Sequence, residues 1–153
     1  MNNPSVGLRA VLSAVHERVG REWVKGANAR TREGKEVPYN DPNAWSFCLL
    51  GAVSHVLNHT LGGVSDHAYK IVLAGLGDTL RLHDPYGDIG WDHNRSDAWN
   101  LMRFNDTRTN KEDVRQLVVL THGRTPVNTR LTLHPEPVLV EHITHPDGWS
   151  IKE

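Results

Sequence analysis

The stretch from Asp41 to Gly63, DPNAWSFCLLGAVSHVLNHTLGG, decides the fold. Apolar and small side chains recur along it at the 3.6-residue period of a helix, and an Asp-Pro pair and a Gly-Gly pair suit its two ends. The pattern predicts one helix that begins at Asp41. Its stripe includes the small residues Cys48, Gly51 and Ala52, so we expect a neighbouring helix to approach it closely.

An amphipathic helix and a loop precede this stretch. Asn3 suits the capping position and Pro4 the first helical position, and apolar residues then follow at helical spacing up to Trp23. Between Trp23 and Asp41 the chain is polar and contains several Gly and Pro residues. This composition predicts a loop with a short hairpin about Gly34.

Three helical segments follow, and each is opened by a capping residue. Residues 79–83 either extend the first of them or form a short strand, because periodicity over five residues does not decide. The last helix begins with a T-x-x-E capping box. The capping positions are Ser65 or Asp66, then Ser96, then Thr109 with Glu112, and Gly123 ends the last helix.

The C-terminal residues change character. Residues 129–133 and 138–143 alternate or run apolar at strand length and are separated by a Pro-Glu-Pro sequence. The sequence therefore predicts a mainly α fold, with four to five short helices around one core and a small C-terminal β element or extended tail. The helical domain covers residues 1–123, and residues 124–153 form an extension packed on it.

Composition excludes several classes of protein. The 153 residues carry a formal net charge of −1, and Cys48 is the single cysteine, so no intramolecular disulfide can form. The apolar runs are far shorter than the ~18 residues of a membrane helix, and the N-terminus lacks the pattern of a signal peptide. With no cofactor motif present, these features predict a cytoplasmic protein that neither enters a membrane nor requires a cofactor.

An excess of basic residues lies near the N-terminus. Residues 1–36 contain seven Lys and Arg against four Glu, and Arg18, Arg21 and Lys25 are candidates for contact with a partner. Because the remaining chain is net acidic, we do not expect nucleic-acid binding at physiological ionic strength. The same residues also fit a solvated helix face.

Ten histidines stand out in the composition. His55 and His59 are four residues apart on the predicted helix, where both imidazoles can reach one metal ion. A third ligand would have to come from His67 or His83, because Cys48 is about 10 Å away along the helix. A metal-free histidine pair is the expectation, since the sequence shows no fuller ligand set. A histidine-rich metal-binding protein is the alternative.

Cysteine-dependent hydrolysis is another alternative. Cys48, a later histidine such as His83, and then Asn105 and Asp106 follow the chain order of papain-like enzymes. Such a site needs the thiol at the N-terminus of its helix. The predicted helix would instead place Cys48 almost two turns inside, between two apolar residues, where it would pack as a small core residue. We therefore predict no catalytic residue.

Five tryptophans are present, and Trp91 and Trp149 lie on predicted loops. Exposed tryptophans are typical anchors of a protein interface. A loop tryptophan folded back on the core is the alternative. Trp91 and Trp149 are therefore further candidates for contact with a partner.

Three short motifs resemble those of a known family. They are Trp23-Val-Lys-Gly26-Ala27, Cys48-Leu-Leu-Gly51-Ala52 and Phe104-Asn105-Asp106, the last followed by Thr109 and Asp113-Val114. Over about residues 20–120, the chain resembles a family of small actinobacterial and actinophage proteins of unknown function. It departs from that family at Phe104, where the family has Trp, in the loop over 84–96 and in its C-terminal extension.

The resemblance implies an origin and a fold rather than an activity. In such a fold, Gly51 would allow close packing against the first helix, Trp23 would fill the space beside it, and Asp106 would cap or pair near the last helix. We expect a small accessory protein, phage-related by this resemblance. It would act by binding another protein, as an adaptor or inhibitor of a host factor.

Overall fold

The computed structural model describes residues 5–61, 66–83, 91–107 and 110–132, and within them the chain forms five helices and five short strands. The helices are α1 (Leu8–Arg21), α2 (Leu49–Leu61), α3 (Asp66–His83), α4 (Asp97–Asp106) and α5 (Lys111–Arg124). The strands are β1 (Ser5–Gly7), β2 (Ala29–Arg30), β3 (Glu36–Val37), β4 (Ser46–Phe47) and β5 (Arg130–Thr132). The predicted mainly α fold with a small C-terminal β element is confirmed.

One hydrophobic core lies between the helices. α1 packs against α2 and α5, and α3 packs against α4 and α5. Burial of each large apolar side chain stabilises the fold by roughly 1.5–3 kcal/mol. In the described ranges no helix is long and apolar enough to cross a membrane. The completely buried side chains include Leu12 and Val15 of α1, Leu49 and Leu57 of α2, Leu76 of α3, Leu101 and Phe104 of α4, and Val114 of α5.

Helix α1 begins at Leu8, and the start predicted at Asn3 is wrong. β1 occupies the residues before the helix and pairs antiparallel with β5, so that Val6 lies opposite Leu131. The amide of Leu8 also donates to the carbonyl of Thr129 at 2.9 Å. The two strands come from opposite ends of the described chain, so no local pattern could reveal their pairing.

Helix α2 begins at Leu49, and the start predicted at Asp41 is wrong. Asp41 opens a turn instead, in which its carbonyl accepts from the amide of Ala44 and its carboxylate accepts from the amide of Asn43. β4 then pairs with β2 before the helix begins. An Asp-Pro pair suits a turn as well as a helix start, and the pairing of β4 decides between the two.

The loop between α1 and α2 carries the predicted hairpin, which is confirmed. β2 and β3 pair antiparallel around Gly34, whose φ of 92° is in the left-handed region that favours glycine. The amide of Thr31 donates to the carbonyl of Lys35 at 2.8 Å and closes the turn. β2 also pairs with β4, so β3 forms one edge of a three-stranded sheet with the order β3-β2-β4.

The later helices differ from prediction only at their ends. Helix α3 continues through residues 79–83, which decides for helix in that segment. Helix α5 begins after a capping box formed by Asn110 and Asp113, rather than by Thr109 and Glu112; Thr109 itself lies outside the described residues. Asn caps a helix at least as well as Thr. The carboxylate of Asp113 accepts from the Asn110 amide at 2.9 Å.

Strand β5 is the C-terminal β element of the described chain. It lies inside the strand predicted over 129–133, and its pairing with β1 holds it beside the start of α1. The strand predicted over 138–143 lies outside the described residues. The division into a helical domain over 1–123 and an extension over 124–153 stays a prediction.

Gly51 in α2 lies close to the backbone of the segment before β2. The amide of Cys48 donates to the carbonyl of Asn28 at 3.1 Å, and a Cβ atom on Gly51 would overlap that carbonyl oxygen. A Cβ atom on Gly51 would therefore meet the backbone of Asn28 rather than the first helix. The predicted packing of this helix against the first helix is nevertheless present, since α1 packs against α2. Only glycine fits this position without a shift of the backbone.

We predict that Gly51→Ala destabilises the fold by about 3 kcal/mol, because either the helix or the Asn28 segment must move to make room. Gly123→Ala is the matched control: it also lies in a helix, nothing lies within 4 Å of an added Cβ atom, and it should stabilise by about 0.5–1 kcal/mol. Urea unfolding of both variants measures the difference. Similar free energies of unfolding would contradict the close approach.

Candidate functional site

The three sequence motifs meet in one buried place, the motif junction, which consists of Trp23, Val24, Gly26, Cys48, Leu49, Asn105 and Asp106. Asn105 lies at its centre and is completely buried. Its Oδ1 accepts from Trp23 Nε1 at 2.7 Å and from the amide of Leu49 at 3.0 Å. Its Nδ2 donates to the carbonyl of Val24 at 3.2 Å and to Asp106 Oδ1 at 2.9 Å. Both donors and both acceptor positions of this amide are therefore engaged within the chain.

Asp106 joins the same junction from the end of α4. Its Oδ1 also accepts from the amide of Gly26 at 3.0 Å, and Lys25 Nζ donates to the carbonyl of Thr107 at 2.7 Å. These bonds hold the segment after α1 against the C-terminal end of α4. The sequence placed Asp106 near the last helix, whereas these bonds direct it toward the segment after α1.

Cys48 occupies the capping position of α2. Its carbonyl accepts from the amide of Ala52 at 2.8 Å, and its Sγ accepts from the amide of Gly51 at 3.3 Å. The prediction that Cys48 lies almost two turns inside its helix is wrong, because the helix begins one residue later. The expected burial is confirmed, since Cys48 is completely buried.

The structure brings only part of the hydrolase candidates together. Asn105 contacts Leu49, the residue after Cys48, so Asn105 and Asp106 lie at the same end of α2 as the thiol. His83 is the last residue of α3, and its side chain is exposed. A completely buried thiol presents no surface to a substrate. The arrangement therefore fits a structural junction better than a catalytic centre.

The histidine pair lies on α2 beside Phe47. The ring centroids of His55 and His59 are 4.1 Å apart in an edge-to-face arrangement, and the His55 ring is 4.5 Å from that of Phe47. Burial, followed by the charges of His59 and Arg18, lowers the pKa of His55 to about 4. No group of three or more metal-ligating side chains occurs in the part of the chain that the structure describes.

The basic residues predicted to contact a partner all form contacts within the chain. Arg18 is half-buried and donates to the carbonyl of Trp45 at 3.0 Å. Arg21 forms an ion pair with Glu17 at 2.7 Å, and both side chains are exposed. Lys25 reaches the end of α4. Of these three, Arg21 therefore remains the most accessible to a partner.

Trp91 lies against α3. It is half-buried, and its Cη2 would be 2.9 Å from a Cβ atom on Gly77. The alternative of a loop tryptophan folded back on the core therefore describes Trp91 better than an exposed anchor. Trp149 lies outside the described residues.

Trp45 is an exposed tryptophan that the sequence analysis missed. It is 41% exposed, and the Arg32 guanidinium lies 4.1 Å from its ring centroid. The ring borders a cleft of about 600 Å³ between the hairpin and the turn before β4. We call it the Trp45 cleft, and its lining includes Arg32, Glu33, Lys35, Val37, Asp41 and Trp45.

The wrong helix start explains why Trp45 was missed. A helix that begins at Asp41 would include Trp45. A single aromatic side chain within a helix does not indicate a binding surface, so Trp45 was not predicted as a candidate. The sequence Asp-Pro-Asn at 41–43 is a turn signal, and it could have shown that Trp45 follows a turn on the surface.

Comparison with known proteins identifies a family but no activity. A model described as a family of unknown function (DUF6197) matches residues 4–122 of the chain. No curated protein and no solved structure shows a significant match. The match spans all three motifs of the junction.

The motif junction predicts the effect of Asn105→Asp. This change replaces both N–H donors by an oxygen and adds a carboxylate next to Asp106, so we expect a loss of about 3 kcal/mol at pH 7. The pKa of the new carboxyl should be raised in the folded state. As the pH falls toward 4.5 this carboxyl takes up a proton and can again donate a hydrogen bond, so the loss of stability should become smaller.

Urea unfolding of wild type and variant at pH 7 and pH 4.5 measures this deficit. Asn128→Asp is the control, because Asn128 is exposed and its change should stay within about 0.5 kcal/mol. Equal deficits for Asn105→Asp at both pH values would contradict the assigned role of the Asn105 donors.

The lowered pKa of His55 predicts a loss of stability in acid. In the unfolded chain the pKa is about 6.5, so neutral His55 stabilises the fold above that value and this contribution is lost as the pH falls toward 4. Because the ring is half-exposed, screening reduces the loss to about 1–2 kcal/mol. His55→Phe, which keeps a ring beside Phe47, should remove this part of the pH dependence.

Urea unfolding at pH 7.5 and pH 4.5 tests this, with His93→Gln as the control at an exposed position. A wild-type pH dependence that His55→Phe leaves unchanged would show that His55 is not linked to folding.

Proposed function

We propose a function from the surface of the molecule itself. The chain belongs to the family of unknown function (DUF6197), and this family supplies no activity from which to argue. The protein is a non-enzymatic interaction module that binds an extended segment of another protein in the Trp45 cleft. It acts in the cytoplasm as an adaptor or inhibitor of its partner. If the protein comes from a phage, that partner is a host factor. The observation that carries the proposal is an exposed tryptophan beside a cleft of about 600 Å³.

The Trp45 ring suits the role of an anchor. Tryptophan and arginine are enriched among the residues that dominate binding energy in protein interfaces. Here Arg32 stacks on Trp45, which limits the side-chain freedom that binding would otherwise remove. Arg18 also donates a hydrogen bond to the Trp45 carbonyl at 3.0 Å. The anchor is thus held in place before a partner arrives.

The charges of the cleft favour a peptide over a nucleic acid. Its walls carry two basic residues, Arg32 and Lys35, and two acidic residues, Glu33 and Asp41. Phosphate backbones require a clear basic excess, whereas a peptide of mixed polarity can use both signs. Val37 adds an apolar contact from β3, the edge strand of the sheet.

The motif junction supports a structural reading of the motifs. The amide of Asn105 forms four hydrogen bonds within the chain, and the Cys48 thiol is completely buried. A catalytic constellation would need at least its nucleophile accessible to substrate. The junction therefore supports the proposal of a function on the surface.

The test is a comparative capture experiment with three tagged proteins: wild type, Trp45→Ala and Val127→Ala. Val127 is the matched control, because it is an exposed apolar residue, 71% accessible, that does not line the Trp45 cleft. A partner should be retained by wild type and Val127→Ala and lost by Trp45→Ala, and calorimetry with the purified partner should show at least a tenfold weaker Kd for Trp45→Ala. Equal capture by all three proteins would contradict the proposal.

The reactivity of Cys48 separates this function from the hydrolase alternative. We expect slow alkylation of the native protein at pH 7, at least a hundredfold slower than in urea, because the thiol is completely buried. Cys48→Ala should then retain partner binding. Rapid native alkylation together with a hydrolytic activity lost in Cys48→Ala would reverse the assignment.

A further inference from the structure

Two basic side chains from two helices lie against one aromatic ring, and a third lies beside one of them. The guanidinium carbon of Arg18 lies 4.5 Å from the ring centroid of Phe47, and the His55 ring lies 4.5 Å from the same centroid. His59 follows one helical turn after His55, with its ring 4.1 Å away. α1 and α2 thus bring Arg18, His55 and His59 to one patch at the end of β4.

Among the described residues, none of these three side chains forms an ion pair with a carboxylate. Neither imidazole forms a hydrogen bond or an ion pair with the residues that the structure describes. Arg18 donates through one terminal nitrogen to the Trp45 carbonyl, but its Nε is buried without a partner. Glu17, whose charge acts on Arg18, forms its ion pair with Arg21.

The electrostatics of the patch decide the sign of a ligand. Burial and the neighbouring positive groups His59 and Arg18 hold the pKa of His55 down, and among the described residues no carboxylate forms an ion pair with its imidazole. A divalent cation between the imidazoles would be repelled by the guanidinium of Arg18. An anion would be attracted to the guanidinium of Arg18 and would stabilise the protonated imidazoles.

We propose that Arg18, His55 and His59 form a binding site for a tetrahedral oxyanion of the phosphate class. The several oxygens of one such anion can accept from donors on three side chains at once. The anion is either free phosphate or a phosphoryl group carried by a peptide. The three side chains do not line the Trp45 cleft, although Arg18 also donates to the Trp45 carbonyl. The proposed site does not depend on the proposed function.

Anion binding is coupled to imidazole protonation. The charged groups that face His55 are His59 on its own helix and Arg18 on α1, and Phe47 on β4 contributes no charge. Each proton taken up adds attraction for the anion, so binding strengthens as the pH falls from 6 toward the His55 pKa of about 4. By linkage, the factor by which protonation tightens anion binding is also the factor by which the bound anion favours the protonated imidazoles. The bound anion therefore raises their pKa.

The experiment follows the imidazole NMR signals of His55 and His59 during pH titration of the full chain. The titration is run in chloride, in inorganic phosphate and in sulfate at matched ionic strength. We expect phosphate and sulfate to raise the pKa of His55 by about one, a tenfold preference of the anion for the imidazolium form. A short phosphoserine peptide, with the unphosphorylated peptide as its control, distinguishes a peptide-borne phosphoryl group from the free anion.

Variants assign the effect to the patch. Arg18→Gln should abolish the anion-induced rise, and Arg21→Gln, three residues along the same helix and exposed, should retain it. His59→Gln at an exposed position should reduce the rise at least twofold without the packing change that Arg18→Gln introduces. The proposal is overturned by no rise in wild type, by an equal rise in Arg18→Gln, or by zinc binding that Arg18→Gln leaves intact.

Discussion

The buried side-chain amide of Asn105 forms hydrogen bonds with three separate parts of the chain. It joins the end of α4 to the segment that begins at Trp23 and to the first amide of α2. In a dry interior each unsatisfied donor or acceptor costs about 1–3 kcal/mol. The four bonds must therefore form together, and they fix the relative positions of these three segments.

The close contact of α2 with the Asn28 backbone follows from this arrangement. Once the amide of Leu49 is held by Asn105, the next residues of α2 pass directly beside the carbonyl of Asn28, and only Gly51 fits there. Cys48 is enclosed at the same point, where its thiol accepts from the first turn of the helix. The three motifs are thus one structural device, and their residues need no catalytic role to explain them.

The Trp45 cleft and the group of Arg18, His55 and His59 both lie next to the motif junction. Phe47, directly before the junction, lies under Arg18 and His55, and Trp45 lies two residues earlier beside its cleft. Side chains near a rigid junction keep their geometry at low entropic cost. The buried junction therefore lies next to both exposed features along the chain.

The sequence by itself determined the class of fold, the apolar faces of α1, α3 and α5 and the hairpin at Gly34, because these depend on helical periodicity and local turn chemistry. The burial of Cys48 was predicted as well, but from a helix position that is wrong. Tertiary structure alone decided that α2 begins at Leu49 and α1 at Leu8. Each boundary is set by strand pairing with distant residues, and Val6 opposite Leu131 is the clearest case. The exposure of Trp45 and the meeting of Arg18 with His55 have the same origin, since a surface between two elements exists only after those elements have packed.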